Sequence, residues 1–241
     1  MKMRKFYIPY KEDKRMIYAS EYFTKNGLTE TVDKSSADFV LLPVPVKKYM
    51  FEGLENNLVF YGVGEYKGHD YNKIEAFKQK NAYLTAEGAI ALFKENSDIA
   101  LYNANVLIVG YGRIAKALHK ALNAFAGKVT VCSRNEVSRV LAEANGAKCI
   151  DFSDLSERGH YDVVFNTVPK VVFTKREIDA LDDDTLFIDL ASFPGGVDTH
   201  YAKHKKLRHI DGRGMPSAYS VKSAGYLIGE TVLNMIKEGI K

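Results

Sequence analysis

The chain has 241 residues, a formal net charge of +4, 46% hydrophobic and 27% charged residues, proportions ordinary for a soluble globular protein with one large or two small domains. The positive charge is mild and scattered, so nucleic-acid binding is not indicated, and no apolar run approaches the roughly 20 residues that span a membrane. The two cysteines, Cys132 and Cys149, lack metal-site spacing and read as buried free thiols.

The start, Met1-Lys2-Met3-Arg4-Lys5, is basic, but Phe6-Tyr7-Ile8-Pro9 is too short for a signal-peptide core, so a cytoplasmic protein is expected. Residues 1–84 read as a small α/β unit. Phe6-Tyr7-Ile8 is a strand, Glu12 to Asn26 a helix closed by Gly27, and Ala37 to Pro43 a buried strand. Leu58 to Tyr61 is another strand, followed by the Gly62/Gly64 turn. A linking helix is expected from Thr85 to Tyr102, with Ile90, Leu92, Phe93 and Ile99 as its apolar residues.

From 103 to 215 strands and helices alternate, which argues for a parallel sheet. The strands are Val106–Val109, Lys128–Cys132, Lys148–Ile150, Asp162–Asn166, Thr185–Leu190 and Leu207–Ile210. The first helix carries an apolar stripe of Ile114, Ala117, Leu118, Ala121, Leu122 and Phe125, with His119 expected at the surface. The second is marked by Val137, Val140, Leu141 and Ala144. Thr174-Lys175-Arg176-Glu177 is a capping box that starts a third. After Pro216, a long C-terminal helix over 216–241 has Val221, Ala224, Leu227, Ile228, Val232, Met235 and Ile236 on one side. The fold class is α/β: a Rossmann-type doubly wound parallel sheet with a second, smaller α/β domain.

The strand Val106–Val109 runs into Gly110-Tyr111-Gly112-Arg113-Ile114-Ala115, a G-x-G-x-x-A turn that opens a helix. Gly110 permits the tight turn, Gly112 lets phosphates approach the backbone, and Ala115 is small enough for helix–strand packing. The helix start at Arg113 and Ile114 then offers N–H groups and a positive dipole end to a pyrophosphate. An NAD site would carry a carboxylate at the end of the second strand, but this chain has Ser133-Arg134-Asn135. Arg pairs with a 2′-phosphate and Ser donates to it, so NADP is preferred over NAD. The alternative is that Arg134 is a surface residue stacking on adenine in either cofactor. Thr167, Val168 and Pro169 after the fourth strand, with Leu190 and Ala191 after the fifth, complete the expected cofactor contacts.

Ligands of open parallel sheets bind at the carboxyl ends of the strands. Three stiff or glycine-bearing loops stand there: Asn166-Thr167-Val168-Pro169, Ala191-Ser192-Phe193-Pro194-Gly195-Gly196 and Asp211-Gly212-Arg213-Gly214-Met215-Pro216. With Thr85-Ala86-Glu87-Gly88-Ala89-Ile90, Asp189-Leu190-Ala191-Ser192 and Lys222-Ser223-Ala224-Gly225 in the same order, they resemble the dipicolinate synthase A-subunit family over about residues 80–240. The resemblance implies NADP-dependent oxidation of dihydrodipicolinate to dipicolinate in sporulating bacteria, on the lysine/diaminopimelate branch. It implies a flavoprotein-like B subunit for a partner and a homodimer through the small units as an option. It also implies a layout like that of 2-hydroxyacid dehydrogenases, with the C-terminal helix crossing back to the small domain. The chain departs from the family in a shorter N-terminal unit, in Phe193 where relatives often carry a basic residue, and in Arg213 where they tend to be apolar.

A small dicarboxylate substrate asks for cations and N–H donors. The candidates are Ser192, Pro194, Gly195, Gly196, Arg213, Gly214, Met215, Lys222 and Ser223, with Glu87, Ser192 and Lys222 as catalytic candidates. Glu87 is equally read as an N-terminal helix carboxylate favoured by the dipole, and Lys222 as a solvated lysine. The six histidines fit no triad, and the pair His200 and His204 lacks a third ligand, so no metal is expected. Two other readings remain open. One is a dehydrogenase of another small carboxylate, 2-hydroxyacid or shikimate-like. The other is a nucleotide-binding partner subunit without chemistry of its own.

Overall fold

The computed structural model describes residues 5–157 and 159–239; Met1 to Arg4 of the basic start and residues 240–241 of the C-terminal stretch lie outside them. Backbone contacts divide the chain into two units. One holds the residues up to Leu84 with those from Pro216 on, and the other is Thr85–Met215.

The first unit is built on β1 (Lys5–Tyr7), β2 (Thr29–Glu30), β3 (Phe39–Leu41), β4 (Val59–Tyr61) and β5 (His69–Asp70), all parallel in the order β2-β1-β3-β4-β5. β2 and β5 are two residues each, too short to leave a period in the sequence. Side chains alternate across the sheet. Phe39, Leu41 and Phe60 pack on one face with Phe6, Met16 and Phe23, while Val40, Leu42, Val59 and Tyr61 pack on the other with Leu54. α1 (Lys14–Lys25) begins where the Asp13 carboxylate accepts the Arg15 N–H, and its chain turns away through Gly27 at φ +83°.

The C-terminal segment breaks at Ser220 into α7 (Met215–Tyr219) and α8 (Val221–Lys237) rather than running as one helix. α8 packs on α1 at backbone distance. A Cβ at Gly225 would lie 2.4 Å from the Arg15 carbonyl oxygen, and one at Gly229 2.9 Å from Tyr22 Cδ1. Ile228 and Val232 thereby enter the same core as Phe6 and Phe23.

The linking helix expected from Thr85 to Tyr102 is instead α2 (Glu75–Glu95). It follows a single turn of 3₁₀ helix at Tyr71–Lys73, and residues 75–84 are rich in strong helix formers. It stops because Ser97 Oγ accepts the Ile99 N–H at 3.2 Å, offering the backbone a local turn in place of another helical bond.

The second unit carries β6 (Asn105–Val109), α3 (Arg113–Ala124), β7 (Lys128–Cys132), α4 (Glu136–Ala144), β8 (Lys148–Ile150), β9 (Val163–Asn166), α5 (Lys175–Asp179), β10 (Leu186–Asp189), α6 (Thr199–His204) and β11 (Arg208–Asp211). Its six parallel strands lie in the order β8-β7-β6-β9-β10-β11, two βαβαβ halves that diverge from β6 and β9. This is the α/β, Rossmann-type doubly wound sheet, and the first unit is the second, smaller α/β one. α5 starts on its capping box, with Thr174 N and Oγ1 both donating to Glu177 Oε2 at 3.0 and 2.6 Å.

Two details differ from expectation. On α3 the buried residues are Ala115, Ala117, Leu118, His119 and Leu122, while Phe125, at the helix end, is exposed. His119 is thus inside rather than at the surface. Its Nδ1 lies 3.0 Å from the Tyr111 hydroxyl, and that hydrogen bond offsets the cost of burial. On α4 the face of Val137, Val140 and Leu141 is exposed, and Ala142 is buried in its place. α4 is turned inward by Arg139, whose guanidinium donates to the Ser133 carbonyl and pairs with Asp151. Cys132 is buried and Cys149 half-buried, both free. Cys149 stands opposite Val131, not Cys132, so the two thiols leave opposite faces of the sheet.

Candidate functional site

The second unit's sheet changes direction between β6 and β9, and the turn after β6 sits at that switch point. Gly110 has φ +91°, which favours glycine, and a Cβ there would lie 2.6 Å from Thr167 Oγ1 and 2.9 Å from Val168 Cγ2. Thr167 closes the other side, its N–H and Oγ1 donating to the Val109 carbonyl at 2.9 and 2.8 Å. Gly112 differs: a Cβ built on it meets nothing within 4 Å. It is also the N-cap of α3, and no side chain among the described residues caps that helix. An open space above an uncapped N-terminus is what a pyrophosphate requires, so the residues present fit a dinucleotide. Arg113 and Ile114 occupy the first turn of α3.

At the end of β7, Ser133 is buried and its Oγ accepts the Asn135 N–H at 3.3 Å. Arg134 next to it is exposed and makes no hydrogen bond or ion pair among the described residues. The geometry leaves its guanidinium available to a ligand at this edge.

β9 and β10 end in a buried polar pair that holds the neighbouring loops. Asn166 Nδ2 donates to Asp189 Oδ1 at 2.8 Å and to the Val168 carbonyl at 3.0 Å, while its Oδ1 accepts the Val168 N–H. The Asp189 carboxylate also accepts the Gly196 N–H at 2.7 Å and the Ala191 N–H at 3.2 Å. These bonds fix Val168, Leu190 and Ala191 at the strand ends, with Pro169 exposed just beyond. Asn166 and Asp189 appear in the sequence only within motifs. The signal that marks them is a polar residue closing an otherwise apolar buried strand.

The expected substrate residues fall in both units. In the second, Ser192 and Pro194 are exposed, while Gly195 and Gly196 are buried. The Gly195 N–H donates to the Ser192 carbonyl and that of Gly196 to Asp189, so both donors already have acceptors. Arg213 is exposed and its Nε donates to both Asp211 oxygens at 2.8 and 3.0 Å, which holds the Asp211 carboxyl below its usual range. Gly214 has φ +76° and Met215 is buried. Glu87 is exposed in the middle of α2, far from that helix's first turn, so the reading of it as an N-terminal carboxylate is corrected by the earlier helix start. In the first unit, Lys222 and Ser223 are exposed in the first turn of α8, and Lys222 Nζ stands 5.6 Å from the Tyr226 ring centre.

Among the described residues no group of three or more His, Cys, Asp or Glu side chains is arranged to hold a metal, and no helix is long and apolar enough to cross a membrane.

Known proteins share this fold. Residues 75–192 match the D-isomer specific 2-hydroxyacid dehydrogenase, NAD binding domain. The dipicolinate synthase A-subunit of Bacillus subtilis is 25% identical over 159 residues, 66% of this chain and 54% of that protein. The chain therefore spans about half the length of the curated relative it matches. The structure of the dipicolinate synthase A-subunit from Bacillus halodurans superposes with a TM-score of 0.83 at 21% identity, covering 96% of this chain and 97% of that one. D-lactate dehydrogenase of Escherichia coli shares the fold more distantly, with a TM-score of 0.67, 12% identity and 98% of each chain covered. Residues 75–192 are thus similar to the NAD binding domain of the D-isomer specific 2-hydroxyacid dehydrogenases, in a chain whose fold is that of the dipicolinate synthase A-subunit.

Proposed function

We propose that the chain is a cytoplasmic, NADP-dependent oxidoreductase of the dipicolinate synthase type, oxidising dihydrodipicolinate to dipicolinate during sporulation. The observation that carries this reading is the open Gly112 turn at the β6/β9 switch point, in a chain similar to the dipicolinate synthase A-subunit. A bound nicotinamide would supply the two-electron acceptor, taking a hydride from a ring carbon of the dihydropyridine while one ring proton is lost to solvent and the ring becomes aromatic. Gly110, Gly112 and the first turn of α3 hold the pyrophosphate. Ser133 and Arg134 select the 2′-phosphate, and the Asn166–Asp189 pair keeps the loops at the strand ends rigid. A small dicarboxylate is the substrate, with Arg213, Lys222 and Ser192 as its proposed contacts. A flavoprotein-like B subunit is the proposed partner.

The test is dipicolinate production read by terbium luminescence. Substrate is generated in situ by a condensing enzyme with NADP+, and the chain is assayed alone and with a B subunit. Signal above spontaneous oxidation that depends on NADP+ and on Arg134 supports the reading. No signal in either mixture, with NADPH still bound, overturns it. That outcome favours a nucleotide-binding subunit without chemistry, a reading supported by the exposed, mid-helix position of Glu87 and the engagement of Arg213 by Asp211.

A further inference from the structure

The first unit has a switch point of its own. Its strand order reverses between β1 and β3, and ligands of such sheets lie in the crevice at the strands' carboxyl ends. A cavity of about 780 Å3 opens there, lined among others by Tyr10, Asp13, Arg15, Pro43, Val44 and Tyr49.

Arg15 is held in this cavity by one edge only. Its Nε donates to Asp13 Oδ1 at 2.9 Å, and Nη2 donates to Asp13 Oδ2 at 2.8 Å and to the Val44 carbonyl at 2.6 Å. A guanidinium carries five N–H groups in a rigid fork, and the two on Nη1 have no acceptor among the described residues. The side chain is 16% exposed, and Nη1 is not among its buried atoms, so this edge of the fork is open to a ligand. Asp13 thus acts as a positioning residue. It satisfies the inner edge of the fork and aims the outer edge at the cavity.

A polar group beside the pair is buried and unsatisfied. Tyr71 is fully buried, and its hydroxyl has no hydrogen-bond partner among the described residues. It lies at the carboxyl end of β4, where a Cβ on Gly62 would be 2.7 Å from its oxygen, and the charges of Arg15 and Asp13 both bear on it. Burial pushes its ionisation upward, so it remains a neutral hydroxyl.

The walls mix the charged Glu12, Asp13, Lys14 and Arg15 with aromatic and proline side chains. Tyr10 and Tyr49 stand 6.3 Å apart at 82°, next to Pro43 and Pro45. Tyr10 is also held protonated, chiefly by burial and then by Tyr49, Tyr7, Glu52 and Glu12, and so presents an O–H donor.

We propose that this crevice of the first unit is a carboxylate-binding site, with the outer edge of Arg15 as its cation and Tyr10 and Tyr49 in its wall. The choice of a pyridine dicarboxylate as ligand rests on the proposed reaction; the cation and its aim do not.

The test is calorimetric titration of the full chain, without cofactor and in metal-free buffer. The probe is pyridine-2,6-dicarboxylate, with uncharged pyridine-2,6-dimethanol as control. Arg15→Met is expected to weaken dicarboxylate binding roughly ten- to a hundredfold, the range for a charge-assisted hydrogen bond, and Arg15→Lys to weaken it less. Tyr49→Ala, at an exposed position, is expected to cost a few-fold and tests the site if Arg15→Met fails to fold. No dicarboxylate binding up to about 10 mM, equal affinity in folded Arg15→Met, or equal binding of the dimethanol each overturns the proposal. Equal dicarboxylate affinity of folded Arg15→Met beside intact dipicolinate formation would overturn this site and leave the proposed reaction standing. Arg15-dependent binding without dipicolinate formation would do the reverse.

Discussion

The two units solve the same architectural problem with opposite helix starts. Each has a doubly wound parallel sheet, and each places a helix after its central strand. In the first unit, α1 begins on Asp13, whose carboxylate accepts the Arg15 N–H and grips the Arg15 side chain. In the second, α3 begins on Gly112, and no side chain among the described residues caps it. A helix N-terminus that already holds a carboxylate has no place for a phosphate, whereas an uncapped one has. The second unit therefore offers backbone to its ligand, and glycines are needed. The first offers a side chain, and its turn residues are Pro9 and Tyr10 rather than glycine. One topology thus supports two recognition chemistries, and the residue at the N-cap decides which.

The comparison breaks most severely at Gly110. Its backbone lies at φ +91° and a Cβ would press on Thr167 Oγ1 at 2.6 Å, an atom held by its own bond to the Val109 carbonyl. Backbone strain of about 1–3 kcal/mol adds to overpacking of similar size. Gly110→Val is expected to lower unfolding free energy by about 3–5 kcal/mol and to remove dinucleotide binding, as read by urea denaturation and NADPH fluorescence. A loss under about 1 kcal/mol would mean that the turn relaxes and that its glycine is not structurally required.

Gly112→Asp is the sharper variant, because it gives α3 the N-cap of α1. Gly112 has φ −82° and ψ −164°, an extended conformation an aspartate N-cap adopts, and no atom lies within 4 Å of the new Cβ. Stability is expected to rise by about a few tenths of a kcal/mol while NADPH affinity falls roughly a hundredfold or more. Loss of both stability and binding would show that Gly112 serves the fold rather than the ligand.

Arg134→Glu tests the preference for a 2′-phosphate at the end of β7. Arg134 is exposed and unpaired among the described residues, so its loss leaves the fold intact. NADPH affinity is expected to fall about tenfold with NADH unchanged or tighter, measured by competitive titration. Equal losses for both cofactors would assign Arg134 to adenine stacking.

Much of this is legible in the sequence, and the gaps have physical causes. The Gly110–Ala115 turn and the Thr174–Glu177 capping box are local devices, written in adjacent residues, and both stand where their spacing places them. The face of α4 misleads because burial is decided by partners. Arg139 reaches Ser133 and Asp151 across the sheet edge, and the apolar Val137 and Val140 are left outside. The start of α2 is hidden because residues 75–84 mix charged and apolar residues without a clear stripe. The Asn166–Asp189 pair and the Arg15 crevice are invisible as sites. Each joins residues more than 20 positions apart, through contacts that only strand order creates.

His119 is the residue where expectation and structure differ most in kind, and it carries the smallest predicted effect. It is buried on α3, its Nδ1 bonded to Tyr111 and its Nε2 without a partner among the described residues. Burial holds its pKa below the ordinary 6.5, so the folded chain keeps it neutral while an unfolded chain takes up a proton. The unfolded state then binds more protons as pH falls below about 6.5, and stability declines with it until the folded pKa is passed. His209, also lowered by burial, adds a slope of the same sign, while the exposed His160, raised by Asp182, opposes it. Only the difference between wild type and His119→Phe therefore isolates this residue. Urea midpoints measured between about pH 5 and 7 are expected to fall less steeply in the variant. Parallel stability slopes in the two proteins would show that His119 is satisfied in both protonation states, and that the Tyr111 bond orients the ring without coupling its charge to the turn.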